Sequence, residues 1–308
     1  MAKLTALGHI GLGIETTFGT AVAPTFWLPY KTVKAADVIH KVTDDGRRAN
    51  VTKDYAVYNT TQEGTVEIDG MAYPDALGYF VFAMLGSDAV TGTAVPYTHT
   101  LKLLNNLPPT LTLSNYSGVD ERQYAGAAIN ALDIKFDTAD KQMDVSAKFN
   151  TLLGVVGTTS TPTYSTLSPF LGFQLAPTIN SVLNTNVVGG EINYKRTVAM
   201  LYTVNDTQAP TKFSSSEIEV TGKLTFDIES ATEYDLYTTG TQFPLSLKFT
   251  QSANSSATFE FGNVDITKSD LDQSQQYLRV NMEWKALYNT GDAGPSTVTL
   301  TNSLATAY

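Results

Sequence analysis

The 308-residue sequence contains no cysteine. Disulfides, thiolate metal sites and cysteine nucleophiles are therefore excluded, and packing and backbone pairing must hold the fold. Histidine is nearly as scarce. His9, His40 and His99 are the whole supply, they lie in unrelated segments, and no G-x-S-x-G elbow accompanies them. Charged residues make up only 16 %, with a formal charge of −10. A surface that grips phosphates needs clustered Lys and Arg, which this balance does not supply. An acidic wall, past which a polyanion slides without sticking, remains compatible with it. The most apolar run, Leu77 to Leu85, is too short to cross a bilayer. Met1 to His9 lacks the apolar core and small-residue cleavage site of a signal peptide. The expectation is a cytoplasmic protein with no membrane partner.

What is present points to strands. Hydrophobic residues are 42 % of the chain, enough for a real core, and Thr, Ser, Gly, Asn, Val and Tyr suit pleated strands joined by tight turns. Period-2 alternation places Val66 and Ile68 on one strand face. The same pattern recurs at Leu132, Ile134 and Phe136, and at Val145, Ala147 and Phe149. It returns at Leu224, Phe226 and Ile228, at Leu245, Leu247 and Phe249, and at Leu278, Val280, Met282 and Trp284. Helix signals are sparse. Pro74 and Asp75 open a predicted helix over 74–85 that Gly86 stops; Glu233, Asp235 and Gly240 bracket a shorter one over 231–239. The class is mainly β.

The order of these pieces repeats. In the first half a charged loop (Asp44 to Gln62) leads into a strand at Gly64, then a helix, Gly86, a Pro-led strand (Pro109 to Ser114) and a hairpin from Ile129 to Phe149. In the second half a polar loop (Asn205 to Ser216) leads into a strand at Gly222, then a short helix, Gly240 and a Pro-led strand from Pro244. Aligning Gly64 with Gly222 sets Val66 on Leu224 and Ile68 on Phe226, in phase. The reading is two tandem modules, 1–153 and 169–308, with 154–168 as linker; chance similarity between strand–helix–strand runs is the alternative. Asp88 to Asn106 has no counterpart and reads as an extra hairpin.

Motifs that could carry chemistry resolve into structure. Gly11-Leu12-Gly13-Ile14-Glu15 lacks the third glycine and the following helix of a dinucleotide fingerprint. Asp133, Asp137, Asp140 and Asp144 lack the central Gly and terminal Glu of a calcium loop, and Asp265, Asp270 and Asp272 read the same way, as solvated turns. No catalytic residue, metal ligand or cofactor site is assigned. The densest mixed-charge stretch holds Asp44, Asp45, Arg47, Arg48, Lys53, Asp54 and Tyr55. It reads as an exposed loop or as a protruding arm that docks on a neighbouring subunit. The sequons at Asn50, Asn59 and Asn115 bear on glycosylation only in a secreted eukaryotic setting.

Three stretches carry a resemblance to the two-copy tail tube (major tail) proteins of siphophages. They are Gly11 through Pro29, Gly64 to Gly70 leading into Pro74–Gly86, and Ile218 to Phe226 ahead of a closing Val298 to Asn302 strand. The resemblance implies two β-sandwich or barrel modules, each with one flanking helix and a long arm loop, which in the first copy runs over about 37–62. It implies sheets joined edge to edge around a ring, three chains giving a pseudo-sixfold ring or six a true hexamer, and rings stacked into the conduit for DNA ejection. It implies the virion tail as location after assembly in the host cytoplasm, with a tape measure protein, tail-end proteins and transported viral DNA as partners. Lys195 and Arg196 join the arm residues in the second copy, whose arm equivalent runs from about Tyr194 to Ser216. Glu67, Asp69, Thr225 and Asp227, opposite the core face, become candidates for the lumen. A contractile-tail inner tube would share this fold. A β-sandwich adhesin or carbohydrate-binding module, which the 16 tyrosines would suit, is the alternative from another class; a hydrolase with a dispersed site is a third.

Overall fold

The computed structural model describes residues 4–138, 141–227, 232–274 and 278–308. Asp140, Ile228 and Ala231, which figure in the expectations above, lie outside them. Strands hold 55 % of the chain and helices 7 %, so the mainly-β class is what the sequence adopts. The first half runs β1 (His9–Ile14), β2 (Phe26–Leu28), β3 (Thr32–Asp44), β4 (Ala56–Met71), α1 (Leu77–Leu85), β5 (Gly86–Thr91), β6 (Tyr97–Leu103), β7 (Leu111–Tyr116), β8 (Glu121–Phe136), β9 (Asp144–Thr151) and β10 (Val155–Val156). The second runs β11 (Leu175–Ile179), β12 (Val182–Leu183), β13 (Val187–Lys195), β14 (Val198–Leu201), β15 (Lys212–Ser215), β16 (Glu219–Asp227), α2 (Thr232–Thr239), β17 (Phe243–Ser252), β18 (Ser255–Asp272), β19 (Arg279–Ala286) and β20 (Thr297–Asn302).

The principal layer is an antiparallel sheet in the order β3–β4–β9–β8–β13–β16–β19–β18. Its middle joint, β8 with β13, sets Gly190 opposite Phe136 through to Lys195 opposite Ala131 and makes one sheet of the two halves. The facing layer holds β2–β1–β7 and the run β12–β11–β17–β18–β20–β6–β5, in which the first-half hairpin β5–β6 extends strands of the second half. Strands β8 and β18 are long enough to serve both layers. The first part of β8 pairs with β7 and its last part with β9 and β13, with a bulge between Ile129 and Ala131 that lets it turn the corner.

Alternation along these strands builds the core. Val66 and Ile68, Ala147 and Phe149, Leu132 and Ile134, Ile192 and Tyr194, Leu224 and Phe226, and Met282 and Trp284 are all buried on one side of the sheet. They belong to a single hydrophobic cluster that crosses both halves. Helix α1 is buried on nearly every side, as its unbroken apolar composition requires. It packs Phe80 against Phe149 with ring centroids 6.3 Å apart. It stops at Gly86, whose φ of 96° suits glycine, with the Gly86 N–H donated to the Phe82 carbonyl. The helix begins at Leu77, because Pro74 to Ala76 form a turn ahead of it.

Pairings of the first half recur in the second. The pairs β1–β2, β1–β7, β3–β4, β4–β9, β7–β8 and β8–β9 correspond to β11–β12, β11–β17, β13–β16, β16–β19, β17–β18 and β18–β19. The segment without a counterpart forms the hairpin β5–β6.

The loop expected over 37–62 is instead a β-hairpin. Strands β3 and β4 stay paired from Asp37 opposite Gly64 out to Asp44 opposite Ala56, so only 45–55 lies outside strands. Its polar, charged composition reads as loop, yet Val38, Ile39, Val42, Thr43 and Val57 favour extended backbone, and cross-strand bonding satisfies that backbone with no buried face beneath it. The region expected as the second arm carries a shorter hairpin, β14–β15. The stretch 154–168 is tied down by β10 pairing with Arg122 and Gln123 and by a bridge between Trp27 and Tyr164.

Gly222 lies across from Trp284, and a Cβ there would sit 2.2 Å from the indole Cζ2. Gly222→Val is expected to destabilise the unassembled subunit by about 1–3 kcal/mol through overpacking, read as a lower denaturant midpoint. An unchanged midpoint would mean the indole moves aside freely.

Candidate assembly surfaces

The side of the principal sheet that faces away from the core is polar across its whole width. Glu67 stands between two lysines of the flanking strands, 3.2 Å from Lys34 Nζ and 3.2 Å from Lys148 Nζ. Hydrogen bonds from Lys148 and then Lys34 hold its carboxyl below the usual range. Asp69 accepts the Thr32 hydroxyl at 2.6 Å. Burial pushes its pKa up, but the hydroxyls of Ser146 and Thr32 outweigh that and leave it lowered. Thr225 donates to Asn281 Oδ1 at 2.8 Å, and Asp227 receives Arg279 Nε at 2.6 Å. All four residues singled out in the sequence thus lie on one face of one sheet, on β4 and β16.

That face carries charges of both signs, although the chain as a whole is acidic. Across six strands Asp144, Lys135, Glu191, Lys223, Glu283 and Lys268 lie opposite one another in turn, alternating in sign. Lys31 Nζ meets Asp144 at 2.5 Å at the start of the row, and Lys285 Nζ meets Glu219 at 2.7 Å in another. Opposite charges placed directly across a sheet stabilise its register. Sequence reasoning found the polar face but not the rows, because strand order decides which charges meet.

Two projections leave the same end of the sheet. At the tip of the β3–β4 hairpin, Asp44 accepts the Gly46 N–H at 3.1 Å and pairs with Arg48, and the Arg48 guanidinium lies 4.6 Å from the centre of the Tyr55 ring. Asp45, Arg47, Lys53 and Asp54 are exposed around this cap. The hairpin also displays Val42, Val51, Val57 and Tyr58 to solvent. Beside its base, the loop after β14 bonds across: Gln62 N–H to the Gln208 carbonyl at 2.9 Å, and the Tyr202 hydroxyl to Glu63 at 3.2 Å. Lys195 and Arg196 sit at the end of β13 rather than at the tip. Lys195 is exposed, whereas Arg196 is only 7 % exposed. The Arg196 Nε has no hydrogen-bond partner among the described residues, and burial lowers its pKa. At the opposite end of the sheet a groove of about 660 Å³ is lined by Lys135, Asp137, Lys141, Asp144, Asp272 and Arg279, among others.

Buried polar groups elsewhere are structural in geometry. Gly11–Glu15 lies in and just after β1, and the Glu15 carboxylate receives the Thr110 and Thr112 hydroxyls and the Gly19 and Gly126 N–H groups. It pins β1, β7 and β8 together. His99 bonds Asp88 at 2.8 Å and the Leu304 carbonyl at 2.9 Å beneath the Tyr308 ring. His9, Glu121 and Ser160 converge, but Ser160 Oγ (3.5 Å) and Glu121 (3.7 Å) both meet His9 Nε2. A hydrolase relay needs the two ring nitrogens to serve different partners. Among the described residues no group of three His, Asp or Glu side chains is placed to hold a metal.

The outer edge of β3, like that of β18 from Ile266 to Asp272, is unpaired in the described sheet. A sandwich whose main sheet ends in two open edges, with projections at one end, is a subunit built for joining. A family model described as phage tail tube protein matches residues 5–301, and the chain belongs to that family. No curated protein matches it. The protein is a structural subunit that self-assembles into the tube of a phage tail and resides in the virion tail.

Because the folded pKa of Glu67 lies below its unfolded value, its bridge stabilises above the ordinary carboxylate range and is lost as pH falls through the lowered value. Asp133, raised by burial, opposes this, since its protonation on acidification relieves a cost. Glu67→Gln should cost less than about 1 kcal/mol at neutral pH, as its bridge is partly solvated, and should flatten the loss of stability below about pH 4. Denaturant midpoints measured across that range check it; parallel acid limbs for the two proteins would contradict the bridge.

Proposed function

We propose that this chain is the ring subunit of a long, non-contractile tail tube, stacked ring on ring to form the conduit through which viral DNA leaves. The observation that carries the reading is the pair of open edges on the principal sheet. An exposed edge of this length is a template for pairing with another chain, and pairing one end with the other end of the next copy makes a closed ring where the rotation closes. Residues 1–153 and 169–308 act as two copies of one module, joined through 154–168, each giving four strands to the inner wall. Three chains then make a pseudo-sixfold ring; six chains are the other closure.

The polar face, with Glu67, Asp69, Thr225 and Asp227, lines the lumen, and the hydrophobic cluster lies behind it. The β3–β4 tip and the β14–β15 hairpin reach toward the next ring, whose facing end presents Lys135, Asp137, Lys141, Asp144, Asp272 and Arg279. Charges of both signs on both ends favour specific stacking over non-specific clumping. A tape measure protein and tail-end proteins set the length and the termini, assembly takes place in the host cytoplasm, and the subunit performs no catalysis.

Electron microscopy of purified protein over a concentration series should show rings or hollow tubes of uniform bore. A monomer that persists at high concentration would end the proposal. Deleting Asp44 to Lys53, which lies at and beyond the last β3–β4 pair, should leave a folded subunit that no longer polymerises; tube yield equal to the intact chain would remove the arm from assembly.

A further inference from the structure

We infer that the open edge of β18 joins β3 of a second copy in the same register that β8 and β13 already use inside one chain. This rests on the ring reading above and adds the residue pairs that the ring requires.

The register follows from the recurrent pairings. With Gly64 matched to Gly222, Gln62 corresponds to Val220. Ile39 lies opposite Gln62 and Tyr194 opposite Val220, so Ile39 stands where Tyr194 stands. On the other flank, Ala147 lies opposite Ile68 and Val280 opposite Phe226. Leu132 lies opposite Ala147 and Leu271 opposite Val280, so Leu271 stands where Leu132 stands. Inside the chain Tyr194 and Leu132 are direct partners. The equivalent contact between chains sets Ile39 opposite Leu271. The next pair, Asn193 with Asp133, becomes Val38 opposite Asp272.

The exposure of the matched side chains agrees. Tyr194 and Leu132 are 1 % and 0 % exposed, whereas Ile39 and Leu271 are 39 % and 46 % exposed. Both exposed side chains project to the core side of the sheet, as Ala35 and Val280 do on their own strands. An Ile and a Leu left open at the two ends of one sheet, at positions whose counterparts are buried against each other, are the two halves of a single contact. Beside them His40 would fall near Asp270 by the same matching, Lys195 with Ala131 being the internal pair. The joint is head to tail. Pairing β3 with β3, or β18 with β18, would instead give an isologous two-fold contact that leaves the other edge of each chain unpaired.

The absence of cysteine makes the test clean, since any disulfide must come from introduced residues. Ile39→Cys with Leu271→Cys, and separately Val38→Cys with Asp272→Cys, are to be assembled, oxidised mildly and run on non-reducing gels. Adjacent antiparallel pairs alternate between wide and close spacing, and both spacings fall within disulfide reach. At least one of the two variants should therefore yield a ladder of linked chains. Lys41→Cys or Asp37→Cys, each with Leu271→Cys, places the thiols two residues out of register and should not link. Linking in an offset pair, or a linked dimer from Ile39→Cys alone, overturns the inference. So do tubes seen by microscopy with no link in either in-register variant, a result that leaves the ring reading standing. Failure of the unsubstituted protein to form tubes at any concentration removes the ring reading and this register with it.

Discussion

A strand paired on one side only holds out a row of backbone donors and acceptors that any other strand can take. This chain meets that constraint at the centre of its principal sheet and leaves it unmet at both ends. Between β8 and β13 the backbone is paired from Ala131 to Phe136, and the side chains beneath, Leu132, Ile134, Ile192 and Tyr194, close the gap between the halves. The two halves share one continuous core, because the cluster runs through the joint. Opening that joint would expose two edges and the apolar surface under them at once, so the subunit is expected to fold as one cooperative unit.

The fold was largely legible where one strand face is buried. Val66 and Ile68, Ala147 and Phe149, and Leu224 and Phe226 announce themselves by alternation, and α1 by Pro74, Asp75 and Gly86. Gly64 and Gly222, which the sequence pattern set in phase, each leave room for a cross-strand neighbour, Thr151 in one case and Trp284 in the other. What did not show is where pairing runs on without burial. Strand β3 beyond Asp37 has exposed residues on both faces, so its periodicity carries no signal and its charges read as loop. The Ser160–Glu121 and Glu15 clusters escaped for another reason: they join residues 39 and more than 90 positions apart, and no local pattern reports such a meeting.

In the proposed ring, the in-chain joint has a second role. Sheet twist fixes the angle between adjoining modules, and the β8–β13 joint sets that angle within every subunit by pairing inside one chain. A joint between chains built in the same way repeats the angle, and equal steps are what turn a head-to-tail interface into a closed ring rather than an open filament. Half of the joints would then form during folding of the chain, leaving the other half to assembly.

The rows of alternating charge bear on what such a ring would present to its cargo. Neighbouring strands lie about 4.8 Å apart, so a lysine and the carboxylate across from it are separated by less than the Debye length of about 8–10 Å at physiological salt. Their fields largely cancel for a phosphate standing off the wall. A uniformly acidic face would repel DNA everywhere and a basic one would hold it. Matched rows do neither, and they stabilise the strand register as well. The side chains that keep Glu67 bridged between Lys34 and Lys148 are the ones that keep those lysines from reaching for a phosphate. On this reading the smoothness of the conduit and the stability of its wall come from the same ion pairs.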